Sequence, residues 1–461
     1  MTTRSKELRL DVPQDVQGCR SELAKVQVRE YLRFDSFLSR KLVALLGIVA
    51  GYACYLAGRT AKAIHILSAV HRAAYSEWAS SFVERWLKAR AQQNGQDAHS
   101  LAWTCARHIE GLSSTSWTAK FHDDPARLLG TRALVLKSPA PNEKGVLLID
   151  YTFALPLFAK CFDLARISKQ YHIVLEPSWS GYCDLDILCY ARLDVPVFIQ
   201  APEPRDALFL RRLGCSFVPV PLGDNWWVDH RVFRPLPGVA KDVDVVMVGS
   251  WGRYKRHYRF FAALAELRAR GEALNAVLLG YPADYTREDI LRQAQHYHVD
   301  DQLEVYERLS PAEVNEQLNR ARINLVWSRR EGCNRSSIEG MFAGVPCILR
   351  EGFNYGQPYP HINPQTGSFS SEGDLPDRLL WAIQHFQSFS PHEWALENMT
   401  CQKATAVLEN TIRETARARG ENWTRGLAVK VTYVDRMQYW NADEAKEFAA
   451  NFDYLRSAIR K

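Results

Sequence analysis

The sequence predicts an α/β chain built as two successive parallel-sheet halves, with helical segments before and after them. Three observations carry this reading. The 461 residues exceed what one hydrophobic core usually covers, so two or more domains are expected. From about Arg132 onward, short apolar runs alternate with helical segments, as in a parallel sheet with helices packed on it. That alternation breaks once, at FRPLPGVAKDVD (233 to 244), where two prolines and a glycine mark a linker. Composition agrees with a packed soluble core, with 47% hydrophobic and 24% charged residues. The net charge of +6 suits an anionic small ligand or an acidic membrane surface, but it is too dilute to indicate nucleic acid.

Residues 1 to 115 are rich in Ala, Leu, Arg and Ser and read as a helical extension. Within it, Leu42 to Gly58 is 17 residues without a charge, flanked by Arg40, Lys41 and Arg59. That length is the bottom of the spanning range of about 17 to 25 residues, so the segment fits a packed helix, a monotopic membrane contact or a span. Residues 116 to 240 form the first α/β half. Its runs are RALVLK, GVLLID, the helical LPLFAKCFDLARISKQ, HIVLE, VPVFIQ, DALFLRRLG and FVPVPLG. Pro196, Pro219 and Pro221 predict strands that are short or lie at an edge. The second half, 241 to 390, opens with VDVVMVGS, and 391 to 461 is a helical tail expected to pack back on the first half. Ten cysteines occur with no CxxC pair and no His cluster at metal spacing, so no metal is expected; reduced core thiols and the absence of a secretory signal point to the cytoplasm.

The most informative stretch is Ile323 to Leu349, INLVWSRREGCNRSSIEGMFAGVPCIL, which reads as one βαβ unit closed by Gly344. Arg329, Arg330, Glu331 and Arg335 fall just past a strand's carboxyl end and at a helix start. Open α/β sheets bind ligands there, and helix amides attract phosphate. Glu331 and Glu339 are separated by seven residues, and Glu339 leads into an apolar run where a carboxylate is an unusual choice.

In order and spacing this stretch resembles the donor-binding motif of retaining GT-B glycosyltransferases of the family 4-like group (glycosyl transferases group 1), which use nucleotide-sugars. The resemblance extends from Val245 through Ile362 to Gly367, about a third of the chain. It implies two Rossmann-like domains facing a cleft. The reaction it implies moves a hexose from a nucleotide-diphosphate donor, as co-substrate, to a glycan or lipid-linked acceptor, with retention and without metal or other cofactor. By resemblance Glu331 meets the donor's sugar hydroxyls, the amides of Gly332, Cys333, Asn334 and Arg335 meet sugar and phosphate, and Glu339 holds the ribose. Carboxylates suit such hydroxyls because they accept two hydrogen bonds at once.

Further along the resemblance, Val248-Gly249-Ser250-Trp251-Gly252-Arg253-Tyr254-Lys255 matches the loop that clamps the diphosphate. Lys255 occupies the family's Lys position, Ser250 stands where an Arg is expected, and Arg253 is the substitute cation. Gly280, ending AVLLG, offers backbone to the base or ribose. In the first half Gln200 stands where many members keep a His. His122, Asp150, Tyr182, Asp184 and Arg205 are read as caps or surface residues. Pro221 to Asp224 followed by Phe233 resembles the family's stretch before the linker, and the Trp226-Trp227 pair inside it is read as core. Asp184-Leu185-Asp186 is read as a helix start. Two other classes fit the same fold: a nucleotide-sugar epimerase, and a non-catalytic binding or assembly subunit. Partners are therefore the donor, the acceptor and a peripheral membrane contact through 42 to 58, with no nucleic acid.

Overall fold

The computed structural model describes residues 16–73, 76–97, 99–116, 118–179, 181–352, 359–433 and 436–460. Eleven strands form two sheets. The first contains β1 (Ala133–Lys137), β2 (Gly145–Asp150), β3 (Tyr171–Glu176), β4 (Val197–Gln200) and β5 (Phe217–Val220), in that spatial order. β1 is antiparallel to β2, and the other pairs are parallel. The proline rule holds here: Pro219 lies in β5, which is four residues long and at the sheet edge. The segment predicted as one helix, 155 to 170, divides into Ala154–Cys161 and Leu164–Gln170. The cause is local. Phe162 is drawn into a bridge with Ile459, and Asp163 caps the second helix by accepting from Arg166 N–H at 3.0 Å.

The second sheet holds β6 (Val243–Val248), β7 (Ala276–Gly280), β8 (Leu303–Glu307), β9 (Ala321–Val326), β10 (Cys347–Arg350) and β11 (Gly367–Ser370). Its order is β11-β10-β9-β6-β7-β8, all parallel. The chain therefore winds outward from β6 in one direction and returns to start again at β9, the doubly wound arrangement whose switch point lies between those two strands. Val245 and Met247 face one apolar layer while Val246 faces the other, as a sheet covered by helices on both faces requires. The first sheet has no such reversal, so only the second half carries the full doubly wound order.

Among the described residues six α-helices precede the sheets: α1 (Val16–Glu30), α2 (Phe37–Leu56), α3 (Thr60–Ala73), α4 (Glu77–Ala91), α5 (Leu101–Glu110) and the short α6 (Ala119–Asp123). Helices α3 to α5 share the core of the first sheet through Leu67, Val83 and Ile109. Cys401, Leu408 and Leu455 of the tail belong to the same core, and a tail hairpin, β12 (Lys430–Thr432) with β13 (Met437–Tyr439), joins it. Helix α1 instead reaches the second half. A π-helical turn, Tyr31–Asp35, separates α1 from α2. There Glu30 accepts from Arg256 Nε at 3.2 Å and faces Arg329 at 2.8 Å, while Asp35 takes the same arginine at 3.2 Å.

Candidate functional site

At the switch point of the second sheet lies a cavity of about 420 Å³, within the range of small-molecule sites. Its floor is the carboxyl end of β6 and the loop after β9. Gly249 ends the first of these, and a Cβ there would stand 3.1 Å from Lys255 Cε, so the glycine leaves room for the lysine to fold back. Lys255 closes a 3-10 turn, Arg253–Lys255, and is buried. Its ammonium donates to Glu331 Oε1, the oxygen that also accepts from Ser328 Oγ at 2.6 Å. Burial alone would lower the Lys255 pKa, but the Glu331 carboxylate, with Tyr254 and Tyr281, outweighs it and holds the ammonium above its ordinary value.

The helix Arg335–Phe342 starts at the cavity. Asn334 caps it, accepting from Ser337 N–H at 2.8 Å, and the Asn334 N–H donates to Tyr359 Oη at 2.9 Å. Arg335 lines the cavity, donates to the Thr432 carbonyl and stands 3.6 Å from Glu339. Burial raises the Glu339 pKa; Arg335 opposes that shift and Asp224 adds to it. Glu331, Cys333, Asn334, Arg335, Glu339, Lys255, Gly249, Ser250 and Gly280 all line the cavity.

Two of the expected residues do not. Gly332 is half-buried outside the lining, and Arg253 faces away. The Arg253 guanidinium lies 5.8 Å from the Tyr285 ring centroid and 3.9 Å from Glu22 of α1, while its backbone N–H is taken by Asp284 at 2.8 Å. Successive side chains of a 3-10 turn point about 120° apart, so Lys255 and Arg253 cannot share one wall. Arg308, like Lys255 and Arg335, is a cation of the cavity lining. Gly280 has a further reason to be glycine, because a Cβ there would meet Gly249 O and Trp251 Nε1, each at 2.4 Å.

The facing wall comes from the first half and the tail: Tyr151, Ser178, Asp224, Phe233, Thr432 and Tyr433. The halves meet closely, since a Cβ on Gly223 would stand 2.4 Å from Cys333 Sγ. Tyr151 has φ +76°, a conformation costing roughly 1 to 2 kcal/mol for a residue with a side chain, and is held by donating its N–H to Glu176 O at 3.0 Å. Behind this wall lies a buried charge cluster. Asp150 accepts from Arg132 at 2.8 Å, Glu176 accepts from Lys430 at 2.7 Å and from Gln200 Nε2 at 2.6 Å. Burial pushes the Asp150 and Glu176 carboxyls up, Asp224 raises both and Asp150 adds to the rise at Glu176, while Lys430 pulls both down. Carboxylate oxygens of Asp150, Glu176 and Asp224 lie within 4.8 Å of one another, a spacing that could gather round a metal ion, but Arg132 and Lys430 already neutralise two of them. Asp224 lines the cavity, and its Oδ1 is buried with no hydrogen-bond partner among the described residues.

Asp150 and Tyr182 are thus neither caps nor surface groups. Both are buried, and the Tyr182 hydroxyl donates to Gln200 O at 2.6 Å. Gln200 itself is structural, since it also accepts from Trp227 Nε1 at 3.2 Å. Neither Trp226 nor Trp227 reaches the cavity, and Asp184 pairs with Arg72 at 2.8 Å outside it. Glu176 and Lys430 went unread in the sequence. The signal for Glu176 is a carboxylate ending the wholly buried strand β3; Lys430 gives none.

Residues 231–388 match the family described as Glycosyl transferases group 1. Among curated proteins, a GDP-mannose:cellobiosyl-diphosphopolyprenol alpha-mannosyltransferase of Komagataeibacter xylinus is 26% identical over 122 residues, which cover 26% of this chain and 31% of that protein. The matched stretch thus spans about a third of that relative. Among solved structures, sucrose-phosphate synthase of Thermosynechococcus elongatus is similar with a TM-score of 0.45 at 13% identity, over 69% of this chain and 78% of that one. HepE of Anabaena, in complex with UDP and glucose, is similar with a TM-score of 0.44 at 13% identity, over 59% of this chain and 77% of that one.

Proposed function

From a chain that carries a glycosyl transferases group 1 domain on its second sheet, we propose a glycosyltransferase that takes a hexose from a nucleotide-diphosphate donor and gives it to a glycan or lipid-linked acceptor. The observation that carries this reading is the switch-point cavity, where two acid–base pairs, Lys255 with Glu331 and Arg335 with Glu339, meet a helix amino terminus. In this reading the diphosphate lies against Lys255, Arg335 and the amides that open the helix, which stabilise the charge that develops as it leaves. Lys255 can serve both Glu331 and a phosphate, because an ammonium has three protons to donate. Glu331 orients the sugar and Glu339 the ribose. Asp224 receives the acceptor hydroxyl on its unpartnered oxygen. The acceptor oxygen bonds to the anomeric carbon as the bond to the diphosphate breaks, and a phosphate oxygen takes the hydroxyl proton, so transfer proceeds with retention and needs no metal.

The mannosyltransferase relative makes GDP-mannose the first donor to try and a polyprenol-linked diphosphate sugar the first acceptor. Incubating the full chain with a panel of nucleotide-sugars and acceptors is expected to release nucleoside diphosphate with formation of a glycosylated product. Conversion of donor to another sugar without transfer would identify an epimerase. Binding without turnover on every donor and acceptor would identify a non-catalytic subunit.

A further inference from the structure

Helix α2 turns its apolar side chains outward. Leu38, Leu42, Leu45, Leu46, Val49 and Leu56 are all exposed, from 48% at Leu45 to 78% at Leu38, and their spacing of threes and fours sets them on one face. The opposite face is clamped to α3. Cβ atoms built on Gly47 and Gly51 would stand 2.5 Å from Val70 and 2.8 Å from Leu67, and Ala44 and Ile48 are buried beside them. A helix of 20 residues is about 30 Å long, so α2 is pinned along one side and apolar along the other for that whole length. The apolar surface continues onto α1 and the π-turn through Val28, Tyr31 and Leu32, and a groove between the helices is rimmed by Lys25, Arg29 and Arg33.

Charge selects the partner. Between residues 24 and 59 there are six basic residues, Lys25, Arg29, Arg33, Arg40, Lys41 and Arg59, and two acids. Both acids, Glu30 and Asp35, turn inward onto Arg329. We propose that this face docks on an anionic lipid bilayer, with α1 and α2 lying in its plane, the leucines of α2 among the upper acyl chains and the basic rim at the level of the lipid phosphates. The proposal goes beyond the transfer chemistry and does not rest on it. A spanning helix would have to leave α3, to which α2 is closely fitted. A second copy of this chain would bring two cationic rims together. The surface extends past residues 42 to 58 to include α1, which also ties it through Glu30 and Arg329 to the loop of Glu331.

Co-sedimentation of the full chain with lipid vesicles tests this. Vesicles of phosphatidylcholine with phosphatidylglycerol are expected to carry the protein down, and pure phosphatidylcholine vesicles to carry far less. The triple variant Leu45→Asp, Leu46→Asp, Val49→Asp alters only exposed positions and is expected to stay in solution with the parent's melting temperature. If that variant fails to fold, Lys25→Gln, Arg29→Gln, Arg33→Gln decides, with an expected loss of about fivefold in vesicle affinity per charge at low salt. Failure of the parent to bind anionic vesicles, or unchanged binding by the folded variants, would overturn the proposal. So would retention on membranes through an alkaline carbonate wash, which indicates a span, or dimerisation of the parent without vesicles that the triple variant loses, which indicates a second copy.

Discussion

Four carboxylates at and behind the cavity are each matched to a cation. Glu331 holds Lys255, Glu339 faces Arg335, and Asp150 and Glu176 hold Arg132 and Lys430. Asp150 Oδ1 and Asp224 Oδ1 are both buried without a hydrogen-bond partner among the described residues, and of the two only Asp224 lines the cavity. A hydrogen bond to a charged acceptor contributes about 1.5 to 3 kcal/mol, so Asp224→Asn should cost roughly tenfold to a hundredfold in turnover with acceptor. Nucleoside diphosphate affinity should stay at the parent's value. Parallel transfer assays and calorimetric titrations check this, and a loss of nucleotide affinity instead would move Asp224 to the donor side. The cavity residues between Glu331 and Glu339 were legible in the sequence because they lie on one loop and one helix. Asp224 was visible only as a match to a family stretch, and the charge cluster behind it was not, because Lys430 reaches Glu176 across 254 residues of chain.

The element that joins the two halves is α1 with its π-turn. Glu30 is the common anion for Arg256 and Arg329, and the Tyr258 hydroxyl also donates to it. Glu30→Gln would leave two buried guanidinium groups short of a counter-charge, and breaking such buried pairs costs about 3 to 5 kcal/mol. Urea unfolding should show a loss toward that range. Because Arg329 precedes Glu331 by two residues, the donor KM is expected to rise as well; an unchanged KM would detach α1 from the site. The sequence foretold helices over this region from composition, and it foretold β6, β7, β9 and β10 from short apolar runs. It did not foretell that α1 docks on the second half, because the contact depends on single charges rather than on a repeating pattern. The break at Phe162 escaped for a similar reason: an otherwise helical run is interrupted by a tail residue, Ile459, that arrives from the far end of the chain.

Across the whole molecule, acid should destabilise the fold. His257 and His361 are buried, and burial pulls both to about 3, aided at His257 by Lys255. Unfolded histidine titrates near 6.5, so these rings remain neutral in the fold where the unfolded chain would bind protons. Their contribution is complete above about pH 6.5 and is lost as the pH falls toward 3, at about 1.4 kcal/mol per pH unit for each ring. Denaturant midpoints measured across that window should fall with acidity, and His361→Gln should flatten the slope. The doubly wound second sheet explains why the site sits where it does: the chain leaves β6 and β9 in opposite directions along the sheet, and the cavity at that switch point is covered by the first half and the tail. The measurement that bears most directly on this account is calorimetric titration of nucleoside diphosphates, GDP and UDP first, into the parent and Glu339→Gln, beside thermal melts of both. Because burial already disfavours the Glu339 charge, the substitution should leave the melting temperature unlowered while weakening nucleotide binding by roughly tenfold or more. Equal affinity in the two proteins, or a lowered melting temperature with affinity intact, would contradict it.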